Sequence, residues 1–431
     1  MNGGKFRGGY RWSGLPSSEA LEGIFEKFLS GSKIFSSREV LRHDYIPKDL
    51  PHRHNEIHRL GKILAPALTL SKISNLFIYG KTGTGKTAVV RNVLDSLGKK
   101  ANELGARLRL SYVNCRLSGT NYRVLAEICR SIGIYVPFTG LAVGELFDRF
   151  RDGINRSGFC LLIVLDEIDT LVKHREENSL LYELTRINET LHGCWVGLVG
   201  VSNDLHFKEF LDPRILSCLG EEEVIFKPYL ADELNNILQA RAKIAFHEGH
   251  LKESAIRLCA AIAAGEHGDA RRALDLLRVA GELAERSTAE EVTEEHVRAA
   301  QKKVEHDRTT EILTSLPLHL KLVLLSIFLF NNYSQSDAVT GDVYAIYQEL
   351  CREIKIDSLT QRRVSGLISE LDIMGVLNAR VVNFGRYGRT KKVRLGVTER
   401  AIVEALSEDG LVSSLFRYVP RSLRRPAGSS R

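Results

Sequence analysis

The stretch Gly80 to Thr87, "GKTGTGKT", has the spacing G-x-x-x-x-G-K-[ST] and lies between a short apolar run and a helical pattern, the context in which that spacing binds phosphate. Glycines at 80, 83 and 85 let backbone N–H groups turn towards an oxyanion with no side chain in the way. Lys86 offers a point charge to the β- and γ-phosphates of ATP or ADP, Thr87 a hydroxyl for Mg²⁺, and Lys81, Thr82, Thr84 and Ala88 complete the loop. Further on, "LLIVLDEID" runs five apolar residues into Asp166 and Glu167. A strand of this kind delivers both acids to the phosphate end of a sheet, Asp166 to hold Mg²⁺ through water and Glu167 to polarise an attacking water. A solvated acidic turn is the alternative for that pair. Asn203 closes the next apolar run, "VGLVGVSND", where its amide is suited to position the same water, although alone it is an ordinary turn asparagine. Arg271, in "GDARRALDLL", begins a helical pattern and is expected to reach a γ-phosphate from a second domain. Arg214, in "LDPRILS", is suited to act on a neighbouring subunit's nucleotide. For both arginines the alternative is a surface residue near a helix start.

A second chemistry lies near the C-terminus, in "VVNFGRYGRTKKVR". Arg380, Arg386, Arg389, Lys391, Lys392 and Arg394 are six cations with no acid among them, and repulsion of that order on one hairpin is best relieved by phosphates. Gly385 and Gly388 allow a sharp turn with close backbone approach, and Tyr387 can touch sugars or a groove wall. Just before it, Val364, Leu367, Ile368 and Leu371 share one helical face while Arg362, Ser365, Gly366 and Ser369 lie on the other. An apolar back with a short polar and basic front suits a helix that enters a major groove. A packed surface helix followed by a solvated hairpin is the alternative.

The elements that must position these residues follow from the patterning. Apolar runs at Leu76 to Tyr79, Leu108 to Asn114, Leu161 to Leu165, Val196 to Val201 and Glu223 to Phe226 alternate with helical segments, which predicts a parallel sheet covered on both faces. After Pro228 the strand signals stop, and Leu234, Ile237, Leu238, then Leu274, Leu277, Ala280, Gly281 and Ala284 recur at helical spacing. Three further helical stretches, Pro317 to Asn331, Asp342 to Ile354 and Gln361 to Met374, precede two β runs around Gly385, the pattern of a winged helix. The reading is therefore an α/β fold in five parts. These are an N-terminal arm (1–40, with one amphipathic helix near Glu19 to Leu29), an α/β nucleotide domain (41–230), a helical lid (231–306), a winged helix (310–418) and a basic tail (419–431).

Composition agrees with a protein of several domains: 431 residues, 60 basic against 53 acidic, and a net charge of +7 that matters because it is concentrated in the last domain. Seven cysteines at wide spacing point to small buried side chains, not to zinc or disulfides. No run reaches the roughly 20 apolar residues a bilayer requires, and the basic N-terminus lacks an apolar signal stretch, so no membrane association and a cytoplasmic place beside the nucleoid are expected.

With these motifs in order, the chain resembles the AAA+ ATPases, and within them the archaeal origin-recognition and cell-division-control initiators. The resemblance spans about residues 35–415 and adds "DPRILSCLGEEEVIFKPY" and "DYIPKDLPHRHNEI" to the motifs above. It implies an AAA+ P-loop core, a lid and a winged helix, with an adenine pocket lined by Tyr45, Ile46 and Pro47 and with Arg53 near the base. It implies slow hydrolysis of Mg-ATP as a conformational switch, double-stranded origin DNA as a partner, recruitment of the replicative helicase, and contact with other initiator copies or paralogues. Residues 116–140 fall where the family inserts structure that can touch DNA; by themselves they read as a helix with a polar loop. Arg214 is followed by "ILSCLG" with no second arginine, a departure that bears on any role in trans. A ring-forming remodelling ATPase and an ATP-gated repressor are the rival readings.

Overall fold

The computed structural model describes residues 32–137, 140–172, 179–219, 222–334, 337–383 and 389–423, and the chain divides into two compact units between Ala300 and Gln301. The expected helix near Glu19 to Leu29, the wing tip with Gly385, Arg386, Tyr387 and Gly388, and the tail beyond 423 lie outside the described residues, as does the side chain of Arg389.

Five apolar runs form one parallel sheet: β1 (Leu76–Gly80), β2 (Leu108–Asn114), β3 (Cys160–Asp166), β4 (Val196–Ser202) and β5 (Glu222–Phe226), in the order β2-β3-β4-β1-β5. The three inner strands are buried at every residue, as apolar runs are when both faces are covered, whereas edge strands β2 and β5 are partly exposed. Alternation divides β1 to β4 between two cores, while β5 contributes Val224 and Phe226 to one of them. Leu161, Ile163 and Leu165 of β3 pack beside α3 (Cys115–Ser118), α4 (Asn121–Ser131) and α5 (Val143–Ser157). Leu162 and Val164 pack on the opposite face beside α1 (His54–Leu64) and α2 (Lys86–Leu104). Residues 116–131 thus hold the expected helix, begun by the Thr120 hydroxyl accepting from the Arg123 N–H. Two shorter helices, α6 (Ser179–Arg186) and α7 (Pro213–Leu219), flank β4 in sequence.

The lid comprises α8 (Ala231–Ala245), α9 (Glu253–Gly265), α10 (Ala270–Arg286) and the start of α11 (Glu294–Ser315). The expected domain boundary at 306–310 lies within α11, which runs unbroken to Ser315 because "EHDRTTEIL" holds no Gly or Pro and the first residue able to stop the helix is Pro317. Residues 32–41 also differ from the expected arm. Ile34, Phe35, Val40 and Leu41 are buried, Phe35 meets Phe246 of the lid with ring centroids 4.8 Å apart, and the Ser36 N–H donates to the Ala245 carbonyl at 2.8 Å.

The second unit packs α12 (Leu318–Tyr333), α13 (Thr340–Glu353) and α14 (Gln361–Ile373) against the antiparallel pair β7 (Leu377–Asn383) and β8 (Arg389–Leu395). A two-residue strand β6 (Ala338–Val339) on the far side of β8 and a fourth helix α15 (Glu399–Ser407) complete it; neither was expected from the patterning. Five of the six cysteines with described side chains are buried, Cys194 partly so, and all six are free. Among the described residues no helix is long and apolar enough to cross a membrane.

Gly281 on α10 is the hole into which Phe35 fits: a Cβ there would stand 2.3 Å from Phe35 Cζ and 3.0 Å from Phe246 Cε1. Gly to Ala inside a helix ordinarily gains about 1 kcal/mol. Here overpacking reverses the sign, and Gly281→Ala is expected to lose about 1–3 kcal/mol in chemical denaturation; a gain would show that residues 34–41 are not anchored in the lid.

Candidate nucleotide-binding site

The sheet order puts the carboxyl end of β4 between those of β1 and β3, so three loops meet at one edge. The loop after β1 turns through left-handed glycines at 83 and 85, with φ of 71° and 87°, and the Thr84 hydroxyl closes it by donating to the Lys81 carbonyl at 2.8 Å. Lys86 folds back over this loop, and its ammonium donates to the carbonyls of Gly80 and Lys81 at 2.6 and 2.7 Å. Burial pushes the Lys86 amine down to about 8, with Arg271 adding to the effect and Asp166 opposing it.

Thr87 Oγ1 donates to Asp166 Oδ2 at 3.0 Å, the Tyr112 hydroxyl donates to the same oxygen, and Asp166 Oδ1 accepts from the Glu167 N–H at 3.0 Å. The two hard oxygens of Thr87 and Asp166, side by side next to a phosphate loop, are a donor set that suits Mg²⁺. Glu167 has a left-handed backbone, φ 53° and ψ 44°, an unfavourable conformation for a residue with a side chain, and its carboxylate lies 3.7 Å from Arg116. The Asn203 N–H donates to Asp169 Oδ1 at 3.3 Å, as does the Ser202 hydroxyl at 3.1 Å, which fixes the end of β4 beside the acids.

The lid closes the other side. Asp269 caps α10 by accepting from the N–H groups of Arg271 and Arg272, while the Ala270 N–H donates to the Gly83 carbonyl at 3.1 Å. The result is a cavity of about 570 Å³ lined by Gly83, Thr84, Gly85, Lys86, Thr87, Ala88, Asp166, Glu167, Asn203 and Arg271 on its polar side. Tyr45, Ile46 and Pro47, with Ile237, Ala240, Ile244 and Leu274 of the lid, supply an apolar side.

Gly80, Lys81 and Thr82 do not line the cavity; the first two serve it through the carbonyls that hold Lys86. Arg53, expected near the base, is not among the lining residues, and its partners Thr84 and Tyr229 are. It is 4% exposed, donates to the carbonyls of Thr84 (3.0 Å) and Lys227 (2.7 Å), pairs with Glu56, and lies over the Tyr229 ring at 3.9 Å. The guanidinium is a brace beneath the phosphate loop. Arg214 points outward from the start of α7, with its side chain 76% exposed and held by Asp212.

In the second unit Val364, Leu367, Ile368 and Leu371 of α14 are buried, Arg362 is exposed and Ser365 half-buried. Arg380 and Lys392 stand directly opposite each other across β7 and β8, both exposed, so like charges face one another with solvent around them. Lys391, expected to contact DNA, makes hydrogen bonds within the unit. Its ammonium turns onto α14, donating to the Ser365 carbonyl at 3.1 Å and to the Ser369 hydroxyl, and ties the strand to the helix. Arg394 is offset by Asp337 at 2.6 Å.

Family models match three consecutive parts of the chain: an AAA domain over residues 71–207, a Cdc6 AAA+ ATPase-type lid domain over 235–302, and the CDC6 C-terminal winged helix domain over 311–405. An ORC1-type DNA replication protein from Thermococcus onnurineus is 51% identical over 409 residues, covering 94% of this chain and 98% of that protein. The chain belongs to the ORC1-type DNA replication proteins. A second member, from Pyrococcus furiosus, is 49% identical over 94% of the chain and 97% of its own length. The solved structure of the Aeropyrum pernix ORC1 protein in complex with DNA is 50% identical, with a TM-score of 0.80 over 89% of this chain and all of that one. The chain is accordingly an AAA+ ATPase with a nucleotide-binding core, a lid and a winged helix.

Four residues of this ORC1-type site escaped the sequence reading: Tyr112 on Asp166, Arg91 over the Tyr112 ring at 4.6 Å, Asp169 on Asn203, and Arg116 beside Glu167. Only Asp169 carried a signal, its place two residues beyond the acidic pair; the others depend on which strands become neighbours.

If Arg53 is a brace, Arg53→Met orphans two carbonyls at about 1–3 kcal/mol each and lowers the thermal stability of the nucleotide-free protein. Unchanged stability without nucleotide, together with weakened nucleotide binding, would return Arg53 to the base pocket.

Proposed function

We propose that this chain is an ATP-dependent replication initiator that binds Mg-ATP or Mg-ADP between core and lid, hydrolyses ATP slowly, holds origin duplex DNA with its winged helix, and recruits the replicative helicase. The observation that carries the reading is one cavity into which the core presents Lys86, Thr87, Asp166, Glu167 and Asn203 while the lid presents Arg271. Lys86 would exchange the carbonyls of Gly80 and Lys81 for phosphate oxygens. Thr87 and Asp166 would hold Mg²⁺, which supplies charge neutralisation at the phosphates when bound. Glu167 would accept a proton from an attacking water, and the Asn203 amide would orient that water. Arg271 sits on α10, so loss of a γ-phosphate would be felt by the lid as a changed domain position. In this reading the product of hydrolysis is a conformation.

Support for DNA binding comes from the Aeropyrum pernix relative solved in complex with DNA and from the exposed cations here. Arg362 at the start of α14 is suited to a base edge, and the opposed pair Arg380 and Lys392 to backbone phosphate, which would relieve their repulsion. Outward-facing Arg214 is available to a neighbouring copy or paralogue. Such a protein works in the cytoplasm, on the nucleoid.

Glu167→Gln should keep ATP affinity and lose hydrolysis by about 10²-fold or more. Footprinting on genomic DNA with ATP should then protect the same sites with the variant as with the wild type, whereas unchanged hydrolysis would remove Glu167 from the reaction. On the DNA side, Lys392→Ala should weaken all duplexes alike and reduce the salt slope by about one, while Arg362→Ala should cost about 1–3 kcal/mol at the specific site only. Equal losses on specific and scrambled duplexes for both variants would mean that α14 reads no bases.

A further inference from the structure

Arg241, on lid helix α8, is 8% exposed, and among the described residues no carboxylate pairs with it. A cation held in that setting is costly unless its N–H groups are all directed to something. Arg241 Nη1 donates to the Val40 carbonyl at 2.9 Å, Nη2 donates to the Tyr45 carbonyl at 3.0 Å, and the guanidinium lies over the Tyr45 ring with its carbon 4.6 Å from the centroid. One side chain therefore fixes the backbone on both sides of a turn and the face of an aromatic ring. Arg241 and Tyr45 both line the cavity, as do Ile46 and Pro47. The segment that carries Tyr45 is in turn sewn to the lid by Phe35 against Phe246.

We propose that Arg241 is a positioning residue for the base of the nucleotide: by clamping Tyr45 to α8 it makes affinity for the base, and not for the phosphates, depend on the lid. This rests on the reading of the cavity as a nucleotide site. The lid then touches both ends of the ligand through separate helices, Arg271 on α10 towards the γ-phosphate and Arg241 on α8 behind the base. The two have opposite signatures. Loss of Arg271 alters the distinction between ATP and ADP; loss of Arg241 weakens both by one factor.

The test is titration calorimetry on the full chain with ATP, ADP and inorganic tripolyphosphate, for the wild type, Arg241→Met, Arg241→Lys, Tyr45→Ala and the double variants. Arg241→Met and Tyr45→Ala are each expected to weaken ATP and ADP equally, by about tenfold, and to leave tripolyphosphate unchanged. The double variant should be no weaker than Tyr45→Ala alone, since a clamp has nothing to hold once the ring is gone. Arg241→Lys keeps the charge but cannot span both carbonyls, and should behave as Arg241→Met does; it also keeps the cycle readable if the methionine variant fails to fold. Losses that multiply in the double variant, or tripolyphosphate weakened as much as ATP, overturn the proposal while the nucleotide reading stands. A wild-type chain that binds tripolyphosphate and nucleotide with equal affinity overturns it as well. One that binds neither overturns the nucleotide reading and this proposal with it.

Discussion

The hydrogen bond from Thr87 to Asp166 joins a residue that follows β1 to one that ends β3, two strands that are not neighbours. It can form only because β4 lies between them in register, Leu76 beside Val199 and Leu165 beside Gly200, so that their carboxyl ends finish level. Every other feature of the nucleotide site is built outward from that constraint. Asn203 falls in the gap because it follows the intervening strand directly, and Tyr112 reaches Asp166 because β2 is the next strand over. The full burial of β1, β3 and β4 fixes this register, since a slip by one residue would exchange the two cores on opposite faces of the sheet.

Two buried arginines tie further segments to that frame, and both use backbone carbonyls. Arg53 joins the phosphate loop at Thr84 to the end of the core at Lys227; Arg241 joins the segment from Val40 to Tyr45 to the lid. Each also lies on an aromatic ring, Tyr229 and Tyr45 respectively. A planar guanidinium can satisfy two carbonyls in its plane and a ring on its face at once, which a lysine cannot. The core and the lid are thereby linked through guanidiniums directed at backbone, while burial pushes the amine of Lys86, the cation left for the ligand, down to about 8.

In the second unit the pleat separates neighbouring lysines. Lys391 turns inward and ties β8 to α14; Lys392, one residue on, is exposed and faces Arg380 across the strands. The first sets the angle between wing and helix, and the second adds to the charge that a phosphate backbone would neutralise. Adjacent residues of one type thus act on different levels of the structure.

Local sequence was enough for whatever depends on chain neighbours: the glycine spacing of the phosphate loop, the acidic pair at the end of an apolar strand, the helices, and the alternation that predicts a covered parallel sheet. These are short-range consequences of backbone sterics and periodic burial. Tertiary structure alone decided what depends on packing between distant segments. The pleat of β8 and its seat on α14 sent Lys391 to the helix and left Lys392 in solvent, whereas a run of cations in sequence looks uniform. Residues 34–40 read as part of an arm because the first forty residues are rich in Gly, Ser and Arg, yet the groove left by Gly281 gives Phe35 a place in the lid. Arg53 and Arg241 read as a ligand contact and as an unremarked helix residue; which carbonyls stood within reach of each guanidinium, 31 and 174 positions away for Arg53 and 201 and 196 for Arg241, was set by the fold.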